Sequence, residues 1–356
     1  MSSMANEENV YFGVKEIAKR ANVSIATVDR VIHNRTGVSE KTRNKINAII
    51  KEMDYQPNIL ASRLASRKPI HFSILIPHSS KDTRFWEAPL LGINRAEKEL
   101  KSYGIQLKYY YFDLNDRASF VRQSDLLLSK DLDGLLYSPV FVDEAVQLAS
   151  ACDRREVPYV FIDADLPEAK KLSYIGPHLF QSGFVGAKLL TYRTTTHHPL
   201  LIVNISKSIE NNNSLTIAAG IRSYIENNGL SNQLVTVDIQ DTDSFAVARH
   251  LTQVLHDYPK IDGIFVTNSR VSAVAAFLAK KKRPEIRLIG YDFLKENCQY
   301  LQEGLIDFLI CHKPEEQGYR GIMALYQNVV VDAPIDKMQY MPIDIITTEN
   351  MDFYGN

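Results

Sequence analysis

The sequence predicts two unlike parts in one chain: a small all-α headpiece within the first 68 residues and a large α/β body after it. Three observations carry this. Between Gly13 and Lys68, three short segments with apolar residues at helical spacing follow one another, and a fourth begins at Pro57. After Pro69, short β-branched and aromatic runs alternate with longer helical ones. Charge divides unevenly: Gly13–Lys68 holds twelve Lys and Arg against five Asp and Glu, whereas the whole chain of 356 residues has a net charge of −1.

In the first helix Val14, Ile17, Ala18 and Ala21 share an apolar face, leaving Lys15, Glu16, Lys19 and Arg20 to water. Asn22 and Val23 make a tight connection. Ser24 stands where an N-cap belongs, since its hydroxyl can accept an orphan amide proton of the second helix, which starts at about Ser24. There Val28, Val31 and Ile32 pack inward while Ile25, Ala26, Asp29 and Arg30 look outward. The turn residues His33–Gly37 break the pattern, and Ser39 caps a third helix whose Ile46, Ile49, Ile50 and Met53 close the core. Pro57 ends that helix, and Ile59–Ser66 reads as a short amphipathic helix, marginal alone.

Two such helices joined by a tight turn can place the start of the second in the DNA major groove. Ile25 and Ala26 then meet base edges or thymine methyls, Arg30 reaches a guanine or a phosphate, and the Ser24 and Thr27 hydroxyls meet phosphate. Asn34 and Arg35 in the following turn complete the set expected to face double-stranded DNA, and Leu64 can wedge into a minor-groove base step. The stretch Val14–Lys68, with VKEIAKRANVSIATVDRVI, GVSEKTR and YQPNILASRLA, resembles the headpiece and hinge of the lactose-repressor (LacI/GalR) family of bacterial transcription regulators. The resemblance implies base-reading positions at Ile25, Ala26 and Arg30, a minor-groove leucine at Leu64 and a hinge alanine at Ala61. Asp29 stands where the family usually carries Ser; an acid there repels phosphate or pairs with Arg30.

Composition excludes several classes. Cys152, Cys298 and Cys311 have no CxxC spacing, which argues for a reducing compartment over a disulfide framework or zinc site. The opening MSSMANEENVYFG lacks an apolar signal core, and no apolar run approaches the roughly 20 residues of a membrane helix. No nucleophile elbow, phosphate loop or catalytic triad pattern occurs, so neither enzyme activity nor a metal or cofactor is expected. The expected organisation is a flexible arm over 1–12, the headpiece over 13–56, a hinge over 57–69 and an effector-binding and dimerisation body over 70–356.

In the body, strands are expected at Phe72–Pro77, Gln106–Phe112, Gly134–Ser138, Tyr159–Asp163, Leu200–Asn204, Val235–Ile239, Gly263–Thr267 and Arg287–Tyr291. Parallel strands joined by crossover helices bind ligands beyond their carboxyl ends. There stand Phe85 and Trp86, Asp113, Asp163, Asn268 and Asp292. A strand-end Asp caps the next helix more often than it binds anything. Together, though, carboxylates, an amide and flat rings suit the hydroxyls and apolar face of a sugar. Lys280–Arg283 reads as a helix end whose cations complement the dipole, His197–His198 lacks further metal-ligand partners, and Glu210–Ser214 reads as a connecting loop.

The segments FWEAPLLG, DGLLYSP, VPYVFIDAD, YIGPHLFQSGFVGAKLL, GIFVTN, RLIGYD and KPEEQGYRG resemble a type I periplasmic-binding-protein fold of the ribose-binding-like kind. The resemblance implies two lobes, crossings near Pro167, near Phe293 and before Pro342, and ligand positions at Trp86, Asp163, Asn268 and Asp292. Ile217 falls where the family has a sugar-gripping arginine, and His312 where it has a glutamine; His312 is expected to be a neutral, hydrogen-bonded ring at the ligand site. The expected function is a cytoplasmic, nucleoid-associated homodimer that binds a pseudo-palindromic operator, represses carbohydrate-related genes and senses a small carbohydrate-like effector. The competing expectation is a sugar-binding or sugar-processing α/β protein without a regulatory role.

Overall fold

The computed structural model describes residues 13–32, 35–55, 69–80, 84–192, 194–207 and 212–354. They fall in two compact units, Met1–Ala65 and Ser66–Asn356. In the first unit, helices α1 (Val14–Ala21), α2 (Ile25–Ile32) and α3 (Glu40–Glu52) enclose Ile17, Ala18, Ala21, Val28, Val31 and Ile46, with Ile49, Ile50 and Met53 packed against them. Ser24 Oγ accepts the Thr27 N–H at 3.2 Å and Ser39 Oγ that of Thr42 at 3.3 Å, so both expected caps form. Asn22 closes α1 at φ 55°, a left-handed conformation that Asn tolerates through its short polar side chain. The arm before Gly13, the turn residues His33 and Asn34, and the hinge segment with Ala61 and Leu64 lie outside the described residues.

The second unit contains two six-stranded sheets, each the centre of a lobe. Strands β1 (Ile70–Pro77), β2 (Ile105–Phe112), β3 (Gly134–Tyr137), β4 (Tyr159–Ile162), β5 (Ser173–Gly176) and β11 (Met338–Tyr340) order as β11-β5-β4-β3-β1-β2. Strands β6 (Leu200–Ile205), β7 (Leu234–Ile239), β8 (Gly263–Val266), β9 (Arg287–Tyr291), β10 (Phe308–Cys311) and β12 (Asp344–Ile346) repeat that order as β12-β10-β9-β8-β6-β7. Pairing is parallel throughout the described strands except between β10 and β12. In each sheet the winding reverses once, between β1 and β3 and between β6 and β8, which leaves a crevice at the carboxyl ends of the strands.

Helices cover both faces of each sheet, which is why the central strands read as continuous apolar runs. In the first lobe Phe72, Ile74 and Ile76 pack with α4 (Glu87–Leu100) and α12 (Pro314–Val329). Leu75, on the opposite face, meets α5 (Arg117–Leu128) and α6 (Val142–Arg154). In the second lobe α7 (Leu179–Thr191) and α8 (Asn212–Asn227) cover one face, and α9 (Ser244–Asp257), α10 (Val271–Lys281) and α11 (Lys295–Gln302) the other. The pair α7 and α8 touches backbone to backbone: a Cβ at Gly183 would lie 2.1 Å from the Ile217 carbonyl oxygen, and one at Gly220 2.0 Å from that of Phe180. Gly92 and Gly318 do the same for α4 and α12.

The chain passes between lobes at Pro177–His178, at His312–Lys313 and at 341–343. The third crossing agrees with the expected one before Pro342, but the other two correct the expected positions. Pro167 connects two strands of the first sheet, and Phe293 packs on the second lobe's core. Both expected positions lie one strand too early, because β5 and β10, which precede the actual crossings, are not among the strands expected from the sequence.

Candidate functional site

A cavity of about 190 Å³ lies where the carboxyl ends of the two sheets face each other. The first lobe supplies Phe85 and Trp86 after β1, Asn115 after β2, Asp163 and Asp165 after β4, and Gln317 from α12. The second supplies Lys207 after β6, Asn212, Asn213, Ser214 and Ile217 from α8, Thr267, Asn268 and Arg270 after β8, Asp292 after β9, and His312 after β10.

Asp163 and Asp292 occupy equivalent places in the two lobes, each one residue past its strand and each in the left-handed region, at φ 68° and 74°. Such backbone costs a non-glycine residue about 1–3 kcal/mol and clusters at ligand sites. Both residues are half-buried in the lining of the cavity. Burial therefore pushes Asp163 up to about 7, opposed by a hydrogen bond from Asn213, and pushes Asp292 up to about 8, with the charge of Asp163 adding to it. Asp165 differs: Lys171, only 4% exposed, pairs with it at 2.8 Å.

Gln317 ties the first lobe to a crossing segment. Its Oε1 accepts the Asp163 N–H at 3.1 Å and its Nε2 donates to the His312 carbonyl at 2.9 Å. His312 Nε2 lies 2.9 Å from Ser182 Oγ, which lies 3.0 Å from the Tyr291 hydroxyl. Burial lowers the His312 pKa to about 4, so the ring is neutral near pH 7. On the second lobe, Asn268 holds its own loop: Nδ2 donates to the Ile205 carbonyl at 2.9 Å and Oδ1 accepts the Arg270 N–H at 3.2 Å. Arg270 Nη1 donates to the same Ile205 carbonyl at 2.8 Å, while Thr267, Ser214 and Asn204 form a buried polar chain behind it.

Of the expected ligand residues, Phe85, Trp86, Asp163, Asn268, Asp292 and His312 come together at the cavity. Trp86 is mostly part of the first-lobe core, at 3% exposure. Asp113 does not belong to the set. Its Oδ1 accepts the Asn115 N–H at 2.7 Å, the local turn role that strand-end Asp residues commonly take, and Asn115 lines the cavity in its place. The segment expected as a mere connection starts α8 at Asn212, and its Asn213 and Ser214 line the wall. Arg270, Gln317 and Asn213 went unread because each lies on a helix or its N-terminal edge, where nothing local marks the face that meets the other lobe.

In the headpiece, Ser24, Ile25, Ala26 and Arg30 are exposed along the first turns of α2, with Ile25 at 49%. Ser24 and Thr27 hydroxyls lie 2.8 Å apart. Asp29 accepts a hydrogen bond from Arg35 at 3.2 Å. Arg43 donates to the Arg35 carbonyl and Lys45 to that of Ala21, so part of the basic cluster also fastens the turn and α3 in place.

The lacI family of bacterial regulatory proteins matches residues 13–58, and the periplasmic binding protein domain matches residues 73–330. The chain belongs to the lacI family, with a periplasmic-binding-protein body. This lacI-family chain is 26% identical over 328 residues to the HTH-type transcriptional repressor PurR of Klebsiella pneumoniae, covering 89% of the chain and 90% of the relative. It is 28% identical over 155 residues to Catabolite control protein A of Staphylococcus epidermidis, 43% of the chain and 44% of that protein. A chain from Bacteroides fragilis solved as a LacI transcriptional regulator superposes with TM-score 0.75 at 25% identity, over 81% of this chain and 100% of that one. GanP, a glucose-galactose binding protein from Geobacillus stearothermophilus, shares the fold at TM-score 0.71 and 20% identity, over 80% of this chain and 99% of GanP. The lacI-family chain is thus a DNA-binding transcription regulator whose body is built to be controlled by a small ligand. Among the described residues no helix is long and apolar enough to cross a membrane, and no group of three or more His, Cys, Asp or Glu is placed to hold a metal ion.

Proposed function

We propose that this chain works as a cytoplasmic, nucleoid-associated homodimer that represses carbohydrate-related genes from a pseudo-palindromic operator, and that a small, polyhydroxylated effector in the cleft changes its hold on DNA. The observation that carries the reading is the placement of Asp163 and Asp292: strand-end acids of opposite lobes that line one cavity with Asn213, Gln317 and Phe85. A ligand that touches both lobes binds the closed arrangement better than an open one. Linkage then requires that any difference in DNA affinity between the two arrangements be felt reciprocally by ligand and operator. The likeness of the body to a glucose-galactose binding protein supports a carbohydrate-like effector. In the headpiece, Ile25, Ala26 and Arg30 read base edges, Ser24, Thr27 and Arg35 meet phosphates, and Asn34, Ala61 and Leu64 complete the contact. The acids bind rather than catalyse.

The test is selection of bound sites from random duplexes with the full chain, followed by a screen of sugars for a shift in that binding. A two-fold-related consensus and at least one sugar that moves the affinity are expected. Absence of preference for any duplex over genomic competitor sinks the proposal, and sugar turnover abolished by Asp292→Ala would replace it with a sugar-processing role.

A further inference from the structure

We infer that the cleft selects an effector carrying a protonated amine, an amino sugar or a similarly small hydroxylated amine, held between Asp163 of one lobe and Asp292 of the other. This rests on the reading of the cavity as the effector site and names the chemistry of its occupant.

Among the described residues three carboxylates line the cavity, and they differ in how they are neutralised. Asp165 has Lys171 against it at 2.8 Å. Asp163 receives a hydrogen bond from the Asn213 amide, and no cation shifts it. Among the described residues Asp292 has no hydrogen-bond or ionic partner for its carboxylate, and the charge that acts on it is that of Asp163, a repulsion. Among the described residues the cationic side chains of the lining are Lys207, which is exposed, and Arg270, whose guanidinium donates to the Ile205 carbonyl; neither is among the causes that shift the two acids. His312 is neutral and bonded to Ser182, the Tyr291 phenol stays protonated, and Ile217 contributes hydrocarbon.

A buried carboxylate without a counter-charge is costly, and a pair facing one cavity from two sides is more so. A neutral sugar supplies dipoles but leaves the repulsion. A phosphorylated one adds a negative charge to it. An ammonium group supplies the missing charge and up to three N–H donors, enough to reach both lobes at once.

The experiment is calorimetric titration of the full-length chain with matched probes: D-glucosamine, D-glucose and D-glucose 6-phosphate, the galactose counterparts, and ethanolamine, which stays protonated throughout the range used. An amine is expected to bind about tenfold more tightly than its hydroxyl counterpart. Ethanolamine binding should strengthen as pH rises from below 7 to above 8, the range in which Asp163 and Asp292 ionise. Asp292→Asn should abolish the preference while the melting temperature shows a folded protein. Tighter binding of a neutral or phosphorylated sugar overturns the inference, as does millimolar failure of every amine or an amine preference untouched by Asp292→Asn. A neutral sugar that binds and shifts operator affinity would sink this inference and leave the regulatory reading standing. An amine that binds without moving operator affinity would do the reverse.

Discussion

Asp292 and His312 titrate in opposite directions for one physical reason, that burial disfavours the charged form of either group. For the acids the folded pKa lies above the unfolded one, so the native state keeps protons that the unfolded chain has released. With the cleft empty, stability should therefore fall as pH rises from the ordinary carboxylate range toward about 8. The slope is at most about 1.4 kcal/mol per pH unit for each acid. Thermal melts across that range should show Asp292→Asn with a shallower slope and a higher midpoint on the alkaline side; a slope equal to wild type would mean that Asp292 is already ionised. For His312 the folded value of about 4 lies below the imidazole's ordinary value, so its contribution is lost as pH falls through that interval. His312→Gln should flatten the acid limb, and an unchanged limb would place the acid sensitivity elsewhere. At this scale the strand ends were legible in the sequence, because an abrupt stop of an apolar run before Asp or Asn is a local signal. What neutralises each acid was not, because Lys171 and Asp165 meet through a loop while, among the described residues, the charge that acts on Asp292 is that of an acid of the other lobe.

The helix pairs show the same limit one level up. The spacing of Gly183 and Gly220 is unremarkable in their own helices. Only the crossing of α7 over α8 explains them, since each removes a Cβ that would collide with a carbonyl of the partner helix. Gly183→Ala and Gly220→Ala should each cost about 1–3 kcal/mol in denaturant unfolding, because neighbouring backbone cannot give way as a side-chain tip can. A wild-type midpoint would mean that the helices slide apart freely. The headpiece was more legible, since its caps and apolar faces lie within a few residues of one another. Ile25 is the element-scale test of its function: at 49% exposure it adds little to the core, so Ile25→Ala should leave headpiece melting unchanged. Operator affinity should drop by about tenfold in a binding titration. An unaltered affinity would mean that another side chain reads that base step.

For the whole molecule, charge asymmetry is the dominant long-range feature. The segment Gly13–Lys68 is strongly basic while the remainder is acidic, so attraction to phosphate belongs to one end of the chain and the body is repelled by it. Operator affinity should fall steeply with salt, on a double-logarithmic plot with a slope of about 0.9 for each phosphate neutralised. A flat response would show that backbone contacts do not hold the complex together. The body contributes a second global property, a sheet order used twice with the chain crossing three times between the copies. That duplication puts equivalent strand ends, and hence Asp163 and Asp292, on opposite walls of one cavity.

Local pattern was enough for the division into an α headpiece and an α/β body, for most strands, for the Ser24 and Ser39 caps, and for the position of Asp163, Asn268 and Asp292 at strand ends. Each is encoded within one or two turns of chain, where periodicity and capping act. The lobe crossings, the four short strands and the roles of Asn213, Arg270 and Gln317 were decided by tertiary packing. So was the contrast between a neutralised Asp165 and an unneutralised Asp292. These depend on which distant surfaces are brought together and how much water is excluded between them, and no stretch of sequence carries that information on its own.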